Sequence, residues 1–145
     1  MRPTNDRFRN LISANIKLAS DAEILDLRCS LGAYRDCFSG SYTGIDINPG
    51  YVEQARAVLR GTLAVMDCTS LNYPDESFNK VVTIAATHHL NDHQAAKTAR
   101  DALRVCKPGG HFHVDRCDAD SQGSRSRIRD DVAQHSDLIS LGVPR

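Results

Sequence analysis

The chain has 145 residues, 18 Lys+Arg against 18 Asp+Glu, with 41% hydrophobic and 25% charged residues. These are proportions of one ordinary globular domain, and zero net charge gives no electrostatic case for nucleic acid or an anionic membrane as partner. No apolar run approaches the ~20 residues that span a bilayer, the start lacks the apolar core of a signal peptide, and five cysteines without a Cys-x-x-Cys pair favour reduced thiols in a cytoplasmic protein.

Phe8, Leu11, Ile12, Ile16 and Ala19 recur at helical spacing and predict a helix over 4–20, capped by Thr4. Residues 23–28, Glu-Ile-Leu-Asp-Leu-Arg, read as the first strand. It runs into Arg28-Cys29-Ser30-Leu31-Gly32, a turn of the kind α/β proteins use to hold nucleotides. Such a turn normally carries three alternating glycines; here Gly32 remains, and Arg28 and Ser30 stand at the other two places. A short helix over 32–38, ended by Gly40, is expected next. Tyr42 to Ile47 form a strand ending in an acid, Asp46. Asn48 then suits an N-cap and Pro49 a first helical residue, and the stripe Val52, Ala55, Val58, Leu59 runs on to Arg60, where Gly61 stops it.

Leu63 to Met66 make a short strand that ends at Asp67. Lys80 to Ala86 are almost wholly apolar, as suits a central parallel strand covered on both faces. Asn91 or Asp92 caps a helix to about Cys106, and Lys107-Pro108-Gly109-Gly110 ends it. His111 to Asp115 are the last clear strand. Asp118 to Ser126 read as a loop, Ile128 to Ile139 as a final helix, and Val143 to Arg145 as a frayed end.

Alternating strands and helices predict an α/β protein with a mostly parallel five-stranded sheet, order 3-2-1-4-5, helices on both faces and no clear C-terminal antiparallel hairpin. One domain is expected over 1–145, with its core at 22–117, the helix 4–20 before it and a tail 118–145 after it. His111, His113 and Asp115 alternate with Phe112 and Val114, the pattern of a strand with one wet face, so the fifth strand is expected at a sheet edge. Bare edges invite pairing, so either the tail covers this one or two copies meet there as a homodimer.

Three acids mark the ends of successive strands: Asp26, Asp46 and Asp67. In such sheets ligands lie outside the carboxyl ends of the strands, here between the first and fourth. An acid ending the second strand can accept from a ribose diol, and one after the third can accept from an adenine amine. The plainer alternative is that each Asp caps a turn or a helix. His88, His89 and His93 lie close together, but a metal site needs three or four converging ligands, and no metal is expected. Cys29 reads as a small buried residue, since no base is specified near it. The basic run Arg125 to Arg129 is followed by Asp130 and Asp131 and reads as a solvated helix start.

These residues carry a resemblance. Ile24-Leu25-Asp26-Leu27-Arg28-Cys29-Ser30-Leu31-Gly32, Gly44-Ile45-Asp46-Ile47-Asn48-Pro49, Met66-Asp67-Cys68, Phe78 to Leu90 and Leu103 to Gly110 stand in the order of five blocks. Together they resemble class I S-adenosylmethionine-dependent methyltransferases, above all the small-molecule group related to ubiquinone/menaquinone methyltransferases, over roughly residues 22–117. The resemblance implies a Rossmann-like three-layer sandwich and S-adenosylmethionine as cofactor. It implies that Asp26, Arg28, Ser30 and Gly32 form the cofactor loop and that Asp46 holds the ribose. Ile47 packs on adenine, Asp67 and Cys68 meet its edge, and Thr83, Ile84 and Ala85 border the methionine part. His88 and His89 face a small-molecule methyl acceptor, with a base role open to either. Arg28 stands either against the sulfonium cation or in partnership with the cofactor carboxylate. The rival reading is a catalytically silent methyltransferase-like domain that binds nucleotide weakly or acts through protein contacts. A dinucleotide oxidoreductase is disfavoured by the missing Gly-x-Gly-x-x-Gly.

Overall fold

The computed structural model describes residues 22–32, 35–83, 90–115 and 138–145. The helix predicted over 4–20, residues 84–89 and the segment 116–137 lie outside the described residues. Six strands form one sheet: β1 (Glu23–Leu27), β2 (Ser41–Asp46), β3 (Thr62–Val65), β4 (Phe78–Thr83), β5 (Cys106–Asp115) and β6 (Leu138–Gly142). Their order is β3-β2-β1-β4-β5-β6, with parallel pairing through β5 and β6 antiparallel to it. The expected Rossmann-like order is therefore present, with one strand added.

Among the described residues two α-helices lie between strands. Helix α1 (Pro49–Val58) starts where Asn48 Oδ1 accepts the Gly50 N–H at 2.9 Å and Pro49 presets the first turn. Helix α2 (Asp92–Val105) opens on a capping box: Gln94 N–H donates to Asn91 Oδ1 at 2.8 Å, and Asn91 N–H to Gln94 Oε1 at 3.0 Å. The twofold alternation of strand side chains divides the core into two layers. Ile24, Tyr42, Leu63 and Val82 pack with Val52 and Ala55 of α1. Leu25, Leu27, Ile45, Val81 and Phe112 pack with Ala102 and Val105 of α2. Strands buried on both faces read as apolar runs for this reason.

The structure corrects three local expectations. The short helix over 32–38 is a single 3-10 turn, Arg35–Cys37, among the described residues. Lys107 to Gly110 do not leave the sheet; they bulge within β5. Phe78 pairs with Cys106 and Lys80 with His111, so four residues loop out opposite Asn79. Gly109 there has φ +80°, and a Cβ on Gly110 would meet the Asn79 carbonyl oxygen at 2.6 Å, so this run needs its glycines.

The tail is the third correction. Leu138 and Ile139, expected to end a helix, begin β6, which pairs along β5 from Asp115↔Leu138 to His111↔Gly142. Val143 is not frayed: Gly109 N–H donates to its carbonyl at 3.0 Å, and its own N–H donates to Gly110 O at 2.9 Å. The fifth strand is thus not an edge. The chain's own tail covers it, and the homodimer contact placed at a bare β5 edge has no bare edge to use. No helix among the described residues is long and apolar enough to cross a membrane.

Candidate functional site

The loop after β1 takes the left-handed conformation at alternate positions: φ is 55° at Arg28, 52° at Ser30 and 76° at Gly32. The pattern that glycines normally satisfy is therefore kept with side chains at two of its three places. A left-handed residue with a Cβ costs about 1–2 kcal/mol. At Gly32 a Cβ would come within 2.0 Å of Leu59 Cδ1, the far end of a side chain that would have to move aside, so there the left-handed φ is the main demand for glycine. The strained loop is held by β2. Cys29 N–H donates to Ile45 O at 2.8 Å, and Ser30 N–H donates to Asp46 Oδ2 at 2.9 Å.

Asp46 ends β2 and is 6% exposed. Its Oδ1 accepts the Asn48 N–H at 2.9 Å, so the carboxylate links the β1 loop to the start of α1. Each oxygen has two lone pairs and one protein donor, which leaves one acceptor direction on each. Ile47 beside it is 60% exposed and Leu31 is 49% exposed, large apolar side chains left open at the carboxyl end of the sheet.

Asp26 does not share this rim. It is buried, and the Tyr42 hydroxyl donates to its Oδ2 at 2.5 Å. Burial pushes its carboxyl up to about 7; the Tyr42 bond opposes this and the Asp46 charge adds to it. Tyr42 is itself pushed far above its ordinary range, first by burial and then by Asp26. Cys29 lies in the same group. Burial and the two carboxylates push its thiol up to about 12, which makes it an inert thiol at neutral pH. Asp26 thus acts from beneath the loop.

Asp67 is exposed in the turn after β3, where its Oδ1 accepts the Thr69 N–H at 2.9 Å and the Thr69 hydroxyl at 2.8 Å. These bonds, helped by Lys97 and Arg28, hold its carboxyl below the usual range. Cys68 is buried, 3.7 Å from Thr98 Oγ1 on α2, and burial raises its thiol. Arg28 is half-buried, and its charge is felt at both Asp67 and Cys68. Thr83 closes β4, buried, opposite Leu27 of β1. The structure therefore brings Arg28, Ser30, Asp46, Ile47, Asp67 and Cys68 to adjacent strand tips. Ile84, Ala85, His88 and His89 lie outside the described residues.

An adenosine fits this set: acceptors for a diol at Asp46, an open apolar face at Ile47 and an acceptor for an amine at Asp67. The side chains of Arg28 and Ser30 are the additions that a cofactor must accommodate. Elsewhere, Lys80 Nζ lies 2.8 Å from His111 Nδ1, and His111 stacks on His113 with centroids 5.8 Å apart. Among the described residues no three His, Cys, Asp or Glu side chains gather as a metal site. A cleft of about 560 Å³, lined in part by Glu23, Arg35, Tyr42 and Thr62, opens at the amino ends of the strands, opposite the site.

Sequence reasoning missed Tyr42, Thr98, Asp101 and Arg104. Arg104 Nε donates to Asp101 Oδ1 at 2.9 Å, Nη2 to Leu71 O at 3.0 Å, and Nη1 to Tyr73 O at 2.9 Å and Asp75 Oδ1 at 2.8 Å. The signal for Arg104 was present, since it stands in the fifth block of the resemblance, but apart from Asp101 its partners Leu71, Tyr73 and Asp75 lie 29 to 33 residues upstream.

A family model described as a methyltransferase domain matches residues 25–114. Among curated relatives, a 2-methyl-6-phytyl-1,4-hydroquinone methyltransferase of Synechocystis is 35% identical over 95 residues, 60% of this chain and 29% of that protein. A probable tRNA methyltransferase 9B of Bos taurus is 34% identical over 95 residues, 63% of this chain and 20% of that protein. The YcgJ protein of Bacillus subtilis superposes with a TM-score of 0.68 at 24% identity, covering 76% of this chain and 50% of that one. The chain thus spans less than a third of these curated relatives and half of the solved structure.

Proposed function

The chain belongs to the methyltransferase-domain family, the class I S-adenosylmethionine-dependent methyltransferases, and from that premise we propose that it binds S-adenosylmethionine at the carboxyl ends of β1–β4 and methylates a small molecule. The observation that carries this reading is Asp46. Its buried carboxylate is fixed by two backbone N–H groups, Ser30 and Asn48, with acceptor capacity left on both oxygens. Asp46 would hold the ribose hydroxyls, Ile47 would cover one adenine face and Asp67 would accept from the adenine amine. Arg28 would pair with the carboxylate of the methionine part, as suits a guanidinium. Bound there, S-adenosylmethionine would supply a sulfonium-activated methyl group to a nucleophile of the acceptor and would leave as the thioether S-adenosylhomocysteine. The protein's share is positioning, plus a base at His88 or His89 to take the acceptor's proton.

A small-molecule acceptor is supported by the quinol named in the Synechocystis relative and by the balanced charge of the chain. The tRNA named in the bovine relative keeps RNA as the competing acceptor. A second reading, a silent domain, is favoured by the two strained side-chain-bearing positions of the loop. Titration calorimetry with S-adenosylmethionine and S-adenosylhomocysteine decides between them. Micromolar binding by the unaltered chain supports the enzyme. Binding only after Arg28→Gly with Ser30→Gly supports the silent domain. No binding by either folded protein rejects the cofactor.

A further inference from the structure

We propose that Asp101 and Arg104 of α2 are positioning residues that fix the adenine-reading turn, so that base selectivity of the site depends on two side chains that never touch the cofactor. The inference rests on the cofactor reading above and adds the element that sets it. Asp67 and Cys68 sit in an irregular segment between β3 and β4, with Asp67 exposed and Cys68 buried, and such a segment holds a hydrogen-bonding carboxylate in place only if its backbone is tied down.

Met66, just ahead of Asp67, is held by β2 through its N–H to Asp46 O at 3.0 Å; from Cys68 to Ser77 the hydrogen bonds that reach another element go to one helix, α2. Leu71 N–H donates to Asp101 Oδ2 at 2.7 Å, while Leu71 O accepts from Arg104 Nη2 at 3.0 Å. The Asp101–Arg104 ion pair, 2.9 Å apart, therefore brackets both polar groups of one residue. Arg104 also takes Tyr73 O at 2.9 Å. Further on, Glu76 N–H donates to Arg104 O at 3.1 Å and Ser77 N–H to Val105 O at 2.8 Å. One turn earlier on α2, Thr98 meets Cys68. Helical spacing places Thr98, Asp101 and Arg104–Val105 along one side of the helix, so the whole segment from Cys68 to Ser77 is fastened to a single rigid body.

The geometry of the fork matters. Arg104 uses Nε, Nη1 and Nη2 toward separate acceptors, which a lysine ammonium on a flexible stem cannot reproduce at once. Asp67 Oδ1 already takes two bonds from Thr69, so Oδ2 is the acceptor left for an adenine amine, and its position follows the turn. Loosening the fork lets that oxygen drift, while Asp46 and Ile47, carried by β2, stay in place.

The test compares binding of S-adenosylhomocysteine with that of S-inosylhomocysteine, in which a carbonyl replaces the adenine amine. The unaltered chain is expected to prefer the adenine form on the order of tenfold, the worth of one hydrogen bond made or lost. Arg104→Lys and Asp101→Ala are expected to lower that preference to about twofold or less, with the inosine form bound about as before. Asp75→Ala, which removes the exposed outer partner of Arg104, should keep the preference. If a variant does not fold, as judged by circular dichroism, the other carries the test, together with slow amide exchange at Leu71 in the unaltered chain. Full selectivity retained in folded Arg104→Lys or Asp101→Ala overturns the inference while leaving the cofactor reading intact. No binding of either ligand by the unaltered chain overturns both.

Discussion

At the scale of the residue, the loop after β1 carries a conflict between backbone and side chain. Arg28 and Ser30 occupy left-handed wells that cost about 1–2 kcal/mol each, and a glycine there would give back part of that gain through its freer unfolded chain. Arg28→Gly and Ser30→Gly are each expected to stabilise the fold by roughly 0.5–1 kcal/mol, raising Tm by a few degrees. A calorimetric scan showing both variants less stable would mean that the side chains' own contacts outweigh the backbone strain. Two buried titratable groups make a second prediction. Asp26 rises from its ordinary 3.8 to about 7, so the folded state holds a proton that the unfolded chain has released. Its contribution is complete below 3.8 and is lost as pH rises through 7. His113 is 2% exposed, with neither ring nitrogen bonded among the described residues, and burial, with Lys80 and His111 nearby, lowers it from 6.5 to about 4. Its contribution is complete above 6.5 and is lost as pH falls through 4. At about 1.4 kcal/mol per pKa unit the two contributions are roughly 4 and 3 kcal/mol, of opposite slope over nearly the same range. Urea unfolding from about pH 4.5 to about pH 7.5 should therefore show opposite departures from the unaltered chain. Asp26→Asn, which keeps an acceptor for Tyr42, gains relative stability as pH rises, and His113→Leu gains it as pH falls.

At the scale of the element, the N-terminus of α2 is the place where local sequence and structure agree most closely. Asn91 and Gln94 satisfy each other's backbone N–H, so Asn91→Ala should cost about 1 kcal/mol, and Asn91→Ser should restore most of it, in thermal melts. An equal loss for both substitutions would show that the cap is not what the side chain supplies. The same kind of local signal made β1, β2, β4 and the order of the sheet legible in the sequence. Apolar runs of strand length between capped helices have few alternative arrangements. The acids Asp46 and Asp67 were legible because they close those runs. Tyr42 was not, because its role depends on the parallel register that sets it beside Ile24 and within reach of Asp26. The bulge at Lys107 to Gly110 was missed for a related reason: Pro-Gly-Gly reads as a helix stop, and nothing local says that the chain stays hydrogen-bonded to a sheet. Leu138 to Gly142 mixes apolar and small residues in a run too short to separate helix from strand. Its strand character comes from the free side of β5.

At the scale of the whole molecule, that free side is the feature with the largest consequence. A parallel sheet ending at β5 would present the unpaired N–H and C=O groups of His111 to Asp115 to solvent, a template for another chain. The five residues of β6 occupy it in antiparallel register, and Val143 follows with two further backbone bonds and a place against the α2-side core. The tail therefore has two effects that truncation should separate from its sequence. Removing Leu138 to Arg145 deletes the covering strand and leaves the other five in place. The shortened chain is expected to lose stability by several kcal/mol, since each lost ladder bond contributes about 1 kcal/mol. It is also expected to pass from monomer to dimer or larger species as concentration rises, measured by light scattering on a sizing column. Adding a synthetic peptide of residues 138–145 should reverse that association, because the peptide restores the pairing that the second copy replaces. A truncated chain that stays monomeric with an unchanged melting point would mean that β6 only rests on the sheet. Reversal by the peptide would instead place the cover on β5 among the conditions that keep this domain from pairing with itself.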